Sequence, residues 1–429
     1  MSVASRPLHV NSYYAATANA TEDYPRLSGD AQCDVCVVGG GLAGLSCALN
    51  LAEKGFRVTL LEAARIGYGA SGRNGGQVIS GFACEMETIR ALAGDEFARS
   101  FWNMSVEAVD IIDERVRRHG IACDWTRGFC NVAVKPRHLT ALQAWQEEAE
   151  RDYGYRHYQW WDRSRLTGQL ASERYVGGLF DAQAGHLHPL NYTLGLARAA
   201  REAGVTVYEN TPVLSFTRED APHVVTADGT LSCKILVLAC NAYLGDLSPE
   251  VSSRIMPVGT YIIATEPLGA QRAGELIGNN MAVCDSRFVL DYYRLSADRR
   301  LLFGGRVSYS GREPRHLDQM MRHSMLQVFP QLSDVRIDYT WGGLVDITMN
   351  RAPDFGRLAR SIYYVQGFSG HGVNITGIAG KVLAEAIAHE SSRFELFSRL
   401  RHRPFPGGRH LKTPALVMGM LYYRLLDYL

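Results

Sequence analysis

The sequence predicts an α/β fold: a βαβ-type domain interleaved with an α+β domain built on a mixed antiparallel sheet. Three observations carry this. An apolar run from Cys33 to Val38 leads into Gly39-Gly-Gly-Leu-Ala-Gly44, a helical pattern follows, and Val58-Thr-Leu-Leu-Glu62 closes the unit on a carboxylate. A second glycine-rich strand-to-helix turn, Gly367-Phe-Ser-Gly-His-Gly372, lies near the other end of the chain. Between them, α/β patterning resumes near His186, with strand-rich stretches on either side.

The first unit has the order that a Rossmann-like dinucleotide site requires. Gly39 permits the tight turn, Gly41 lets the backbone approach a pyrophosphate, and Gly44 lets helix and strand pack closely. The helix N-terminus offers free N–H groups and partial positive charge to phosphates. Glu62 would accept hydrogen bonds from a ribose diol and repel a 2′-phosphate. At this point the ligand is NAD or FAD.

Further along, Leu45, Ala48, Leu49 and Ala52 share one helix face, and Lys54-Gly55 stops that helix. Residues 65–77 hold too many glycines for a helix and read as a loop. Val106, Val109, Ile112 and Val116 predict a helix over 96–120, followed by a strand at 129–134 and a helix at 137–151. A helix at 191–204 precedes strands at 205–209, 213–218 and 234–239, with a turn at Asp228-Gly229. Strands at 257–265, 288–295 and 300–305 lead to a helix around 316–329. A strand at 362–366, the second glycine turn, and a helix carrying Ala379, Val382, Leu383, Ala386 and Ile387 complete the pattern. Residues 1–85, 185–245 and 350–429 are expected to build the dinucleotide domain, and 86–184 with 246–349 the substrate domain.

A net charge of +1 gives no electrostatic case for nucleic acid or an anionic membrane. Nine cysteines, odd in number and scattered, suit a reducing compartment rather than a disulfide framework. Cys33 and Cys36 read as core residues, not a redox pair. Residues 1–30 lack the apolar core of a signal peptide, and no apolar run reaches membrane-span length. The apolar, tyrosine-rich tail at 414–429 is expected to pack on its own domain or a partner.

The second turn favours FAD. Folded onto the same sheet, its helix start would offer N–H groups to a second part of an extended cofactor. Reduced flavin develops negative charge at its N1–C2=O edge, which a helix N-terminus stabilises.

Several motifs make the chain recognisable: Ser12-Tyr-Tyr-Ala-Ala, Gly69-Ala-Ser-Gly-Arg-Asn-Gly-Gly-Gln77, Gly185-His-Leu-His-Pro-Leu-Asn191 and Cys240-Asn-Ala-Tyr-Leu-Gly245. With Leu290-Asp-Tyr-Tyr-Arg-Leu295, Gly367-Phe-Ser-Gly-His-Gly-Val373 and Pro404-Phe-Pro-Gly-Gly408, they resemble gamma-glutamylputrescine oxidases. These are FAD-dependent amine oxidoreductases of the D-amino-acid-oxidase-like group, together with glycine and sarcosine oxidases. The resemblance implies FAD, a cytoplasmic location and a role in polyamine catabolism. It also implies oxidation of a terminal primary amine to an aldehyde, by hydride transfer to flavin N5, with release of ammonia and hydrogen peroxide.

The departures are informative. No cysteine follows Cys284 and no histidine lies between His9 and His119, where relatives tether flavin, so FAD is expected to be non-covalent. Arg73 and Gln77 stand where sarcosine oxidases carry a histidine and an arginine. Asn374 replaces the lysine that binds their substrate's carboxylate. The strand after Tyr293, Arg299-Arg-Leu-Leu-Phe-Gly, lacks the lysine that promotes their oxygen reaction.

Only a neutral amine has the lone pair that supports a developing iminium, so a desolvated aromatic pocket is expected to lower the ammonium pKa. Tyr292, Tyr293, Trp341 and His371 are the candidate catalytic residues and pocket walls. Tyr292 and Tyr293 point to opposite sheet faces, so only one can face the flavin. His371 is either a base or an orienting group, and His186 and His188 read as structural. Candidate cofactor-binding residues are Gly39, Gly41, Leu42, Ala43 and Gly44, with Glu62 and Ala63. The glycine loop adds Ser71, Gly72, Arg73, Asn74, Gly75, Gly76 and Gln77. Val213, Asn241, Gly370, His371, Gly372, Val373 and Asn374 complete the set. Arg73, Arg294 and Arg351 are candidates for a glutamyl carboxylate. No spacing supports a metal. Two other readings stand beside the oxidase: a dehydrogenase passing electrons to a quinone or carrier, and a non-catalytic FAD-binding subunit.

Overall fold

The computed structural model describes residues 9–19, 22–287, 289–308, 314–390 and 392–406. The tail at 414–429 and Phe288 lie outside them.

Six strands form the dinucleotide sheet in the order Asp354–Ala359, Ile362–Gln366, Ile235–Leu238, Val35–Val38, Val58–Leu61 and Thr206–Tyr208. All neighbours are parallel except the outer pair, Asp354–Ala359 with Ile362–Gln366. Val35–Val38 is buried at every position, as an interior parallel strand must be. Val38, Leu238 and Tyr364 lie in one register row. Both glycine turns therefore leave the same carboxyl edge of the sheet, the edge where open α/β sheets bind ligands. The helices they start, Leu42–Glu53 and Gly372–Ile387, pack side by side, and a Cβ on Gly380 would collide with Ser46.

A four-stranded sheet, Ala31–Gln32, Thr230–Ser232, His223–Thr226 and Val213–Phe216, flanks this layer. The third sheet has nine strands. Ile337–Thr348, Ile255–Thr265, Leu301–Ser308, Tyr292–Leu295, Ala282–Asp285, Thr126–Ala133, Gly177–His186 and Gln77–Val78 follow in order, and Tyr158–Asp162 also pairs with Gly177–His186. It is antiparallel throughout except where Ala282–Asp285 meets Thr126–Ala133. The mixed, mainly antiparallel sheet matches the predicted class.

Several elements differ from their predicted bounds. The strand expected from 288 starts at Tyr292, because Asp285, Arg287 and Asp291 close a charged turn before it. The Ile337–Thr348, Gly177–His186 and Tyr158–Asp162 strands were not foreseen. The Asp95–Arg118 helix lies against the Gly372–Ile387 helix, with Ile111 over Gly377. Gln77–Val78 joins the large sheet, pairing with Gly185 and His186. Those contacts bind the two layers to one another.

Candidate active site

The first turn is built as its glycines require. Gly39 sits at φ +115°, and a Cβ there would lie 2.5 Å from the Ala239 carbonyl oxygen. A Cβ on Gly44 would overlap the Gly39 carbonyl, so only glycine lets this helix close on its strand. A Cβ on Gly41 would come 2.8 Å from Ser71 Oγ, which accepts the Leu42 N–H at 2.9 Å.

A cavity of about 360 Å³ opens at these turns. Its walls include Gly39, Gly41 and Ala43, then Glu62, Ala63 and Ser71, then Val213 and Asn241. Tyr68, Tyr243, Phe368 and Thr376 also line it and were not foreseen. Phe368 and Thr376 belong to the second turn and its helix, so both glycine turns meet at one cavity. Glu62 Oε2 accepts the Gly40 N–H at 2.6 Å and Oε1 accepts the Ala64 N–H at 2.8 Å. Burial raises the Glu62 carboxyl while these N–H groups pull it down. Each of its oxygens keeps acceptor capacity for a ribose diol. A carboxylate, a helix start and a turn that admits no side chain fit the adenosine and pyrophosphate of FAD.

The second turn is held from behind. His371 Nε2 donates to the Ile79 carbonyl at 3.0 Å, and Asn374 Nδ2 donates to the same oxygen at 2.9 Å. Burial lowers the His371 pKa, with backbone hydrogen bonds to Ile79 and Ser80 acting the other way. His371, Asn374, Gly370, Gly372 and Val373 are absent from the cavity wall and instead shape or anchor the turn.

In the glycine loop, Asn74 folds the chain on itself: its Nδ2 donates to the Ala70 and Ser71 carbonyls and its Oδ1 accepts the Gly76 N–H at 2.7 Å. Gly72 packs on Gly67, and Gly75 lies under the Tyr292 ring. The candidate arginines separate here. Arg294 is engaged with backbone, donating to Gly75 and Leu187 at 2.8 Å each and to Leu295 at 3.2 Å, besides the Tyr14 hydroxyl at 3.1 Å. Arg73 instead keeps buried Nε and Nη2 atoms without a partner among the described residues, its guanidinium 4.5 Å over the Tyr68 ring. Gln77 Nε2 is likewise buried and unpartnered. This loop thus presents donors that call for an acceptor from a bound molecule.

Sheet register resolves the aromatic candidates. Trp341, Ile262, Gly304 and Tyr292 pair in one row and share the face that meets the glycine loop. Tyr292 is partly exposed, its ring over Gly304 and Gly75. Tyr293 must be corrected as a pocket wall. It is fully buried on the far face, stacked with Phe303 at 5.7 Å and edge-on to Phe329 at 5.0 Å. Trp341 is buried too, and its Nε1 donates to the Arg73 carbonyl at 3.0 Å, so it supports the loop from beneath. His188 caps a helix, accepting the Asn191 N–H, and His186 Nε2 donates to the Asn280 carbonyl at 2.8 Å.

A glycine-turn cavity under a second glycine-started helix, facing an antiparallel sheet, defines a flavin-dependent oxidoreductase. The profile of the DAO family, FAD dependent oxidoreductase, matches residues 34–386, and the chain belongs to that family. Within it, the chain is 45% identical over 422 residues to the gamma-glutamylputrescine oxidoreductase of Escherichia coli K12, covering 98% of this chain and 99% of that one. It is 44% identical over 425 residues to a probable oxidoreductase, OrdL, of Haemophilus influenzae, covering 98% and 97%. In fold it is similar to glycine oxidase from Geobacillus kaustophilus, with a TM-score of 0.73 at 18% identity over 84% of this chain and 96% of that one. Among the described residues, no helix is long and apolar enough to cross a membrane.

Proposed function

We propose that the chain oxidises the terminal primary amine of a gamma-glutamylated polyamine, such as gamma-glutamylputrescine, to an aldehyde with release of ammonia. The observation that carries this reading is the 45% identity, over nearly both full lengths, to the gamma-glutamylputrescine oxidoreductase. The unpartnered Arg73 nitrogens support it, because a gamma-glutamyl group brings a carboxylate and a guanidinium pairs with one. Bound FAD supplies the acceptor for the hydride leaving the carbon that bears nitrogen.

The protein's own part is binding and exclusion of water. Tyr292 puts an aromatic wall beside the glycine loop, and desolvation of an amine against it favours the neutral form. Positioning supplies much of the rate, and no nucleophile is required. Non-covalent FAD is supported by Cys240, the thiol on the cavity wall: burial pushes it up to about 12, leaving it protonated and unreactive. His371, fixed to Ile79, orients the turn rather than taking a proton.

A second reading, transfer of electrons to an acceptor other than oxygen, has one observation in its favour. Lys54, Lys234 and Lys381 pair with Glu390, Asp34 and Glu107, so none of them is a free cation at the cavity. The test is to mix FAD-loaded protein with gamma-glutamylputrescine without oxygen and follow flavin bleaching, then to measure peroxide in air with and without a dye acceptor. Rapid bleaching is expected. Failure to bleach with any gamma-glutamylated amine overturns the reading, and dye reduction without peroxide selects the dehydrogenase. Arg73→Gln is expected to raise KM for the glutamylated amine by about a hundred-fold, in line with loss of a charge-assisted pair, with FAD retained.

A further inference from the structure

Asp346 lies on the Ile337–Thr348 strand of the large sheet and is 1% exposed. No Lys or Arg pairs with it among the described residues. One carboxylate oxygen accepts from Asn241 Nδ2 at 3.1 Å, and the other accepts the backbone N–H of Gly367. Its carbonyl accepts the Ser369 N–H at 2.9 Å. One residue of the large sheet therefore grips two loops of the dinucleotide sheet: the turn after Ile235–Leu238 and the second glycine turn.

Both loops are held in uncommon backbone shapes, Asn241 at φ +52°, Gly367 at φ +78° and Ser369 at φ +51°. Non-glycine residues adopt that region at a cost, and persist there when surrounding bonds fix them. Asn241 and Phe368, the neighbour of Gly367, both line the cofactor cavity. The carboxylate thus stands one hydrogen bond behind the wall on both sides. Both partners of the carboxylate are donors, which suits the ionised form.

We propose that Asp346 is a positioning residue for the flavin reaction: it fixes the wall made by Asn241 and the second glycine turn, and its buried negative charge holds the reduction potential of bound FAD low. The proposal rests on FAD occupying this cavity and is independent of the amine. Reduction adds negative charge, and a fixed anion in a poorly screened interior opposes it. A low potential leaves the reduced cofactor a stronger donor to the next acceptor.

The test compares Asp346→Asn, Asp346→Glu and Asn241→Ala with wild type, using FAD titration of the apoprotein and equilibrium reduction against a redox dye at pH 8. Asp346→Asn keeps an acceptor for Gly367 but removes the charge, and turns an amide toward Asn241. It is expected to weaken FAD binding about ten-fold, as for one lost buried hydrogen bond, and to raise the potential. Asp346→Glu is expected to bring the potential back toward wild type. Asn241→Ala cuts one tie and keeps the charge, so affinity falls while the potential stays. Wild-type affinity and potential in Asp346→Asn overturn the proposal, as does lost affinity without a shift in potential. If Asp346→Asn does not fold, a raised potential in Asn241→Ala overturns it instead.

Discussion

His371 and Ile79 are joined through a bond that fixes the imidazole's tautomer. The Ile79 carbonyl can only accept, so Nε2 carries the proton, and the bond is 3.0 Å long. The ring is neutral, since burial lowers its pKa. His371→Ala should therefore leave the pH profile of anaerobic flavin reduction unchanged in shape. It should lower FAD affinity and thermal stability instead, by about 1 kcal/mol for one lost hydrogen bond, since Asn374 still donates to the Ile79 carbonyl. Loss of the acid-side limb in the mutant's pH–rate profile would show that the ring acts as a base.

Gly44 offers a sharper structural test. A Cβ there overlaps the Gly39 carbonyl, and backbone cannot move aside as a side chain can. Gly44→Ala should push the Leu42–Glu53 helix off its strand, costing about 1–3 kcal/mol, and should abolish FAD retention on gel filtration. Gly55→Ala is the control: that site has open space, although its φ of +86° makes the substitution mildly strained. It should keep FAD.

The first βαβ unit was legible because its chemistry is local. Glycine spacing, helix and closing carboxylate all lie between Cys33 and Glu62. The meeting of the two glycine turns was legible too, since each follows an apolar parallel strand. What escaped was non-local. Asp346 carried no signal in the sequence, because its partners Asn241 and Gly367 are brought to it by two loops of another sheet. The Ile337–Thr348 strand was hidden by Gly342-Gly343, which breaks the alternation; those glycines make room for Tyr261 and Arg73. Among Arg73, Arg294 and Arg351, sequence offered no ranking. Only the fold shows Arg294 engaged with three backbone carbonyls.

Tyr292 and Tyr293 should respond to mutation in opposite ways. Tyr293→Ala opens a cavity against Phe303 and Phe329 and should cost about 3–5 kcal/mol in urea unfolding. Tyr292→Phe removes a hydroxyl on the loop-facing side and should leave stability nearly unchanged while altering KM or kcat for the amine. A reversed pattern would put Tyr293, and not Tyr292, on the face that meets the glycine loop.

Glu62→Gln tests the adenosine end alone. The amide can still accept from Gly40 or Ala64, but not from both while also serving a ribose diol. FAD affinity should fall by about ten- to a hundred-fold, corresponding to loss of a charge-assisted hydrogen bond, and the potential of the FAD that does bind should not move. An unshifted Kd by titration calorimetry would remove Glu62 from the site.

Stability against pH should be squeezed from two sides, and the groups responsible can be separated. His186 and His188 are held down to about 3 by burial, with Arg294 adding to it. Their folded values lie below the ordinary 6.5, so the unfolded chain binds protons first. The stability they contribute is full above that value and is lost as pH falls from there toward 3. Asp346 runs the other way. Burial raises its carboxyl from 3.8 to about 7, so its contribution is full below 3.8 and declines as pH rises through 7. Cys240, beside its partner Asn241 in the chain, cannot mask this, because burial keeps that thiol protonated up to about 12. Asp346→Asn should flatten the decline of apoprotein stability between pH 5 and 8 in urea titrations, leaving the acid-side loss intact. An unchanged slope on that side would mean that the carboxyl stays ionised throughout the range, its donors Asn241 and Gly367 outweighing burial.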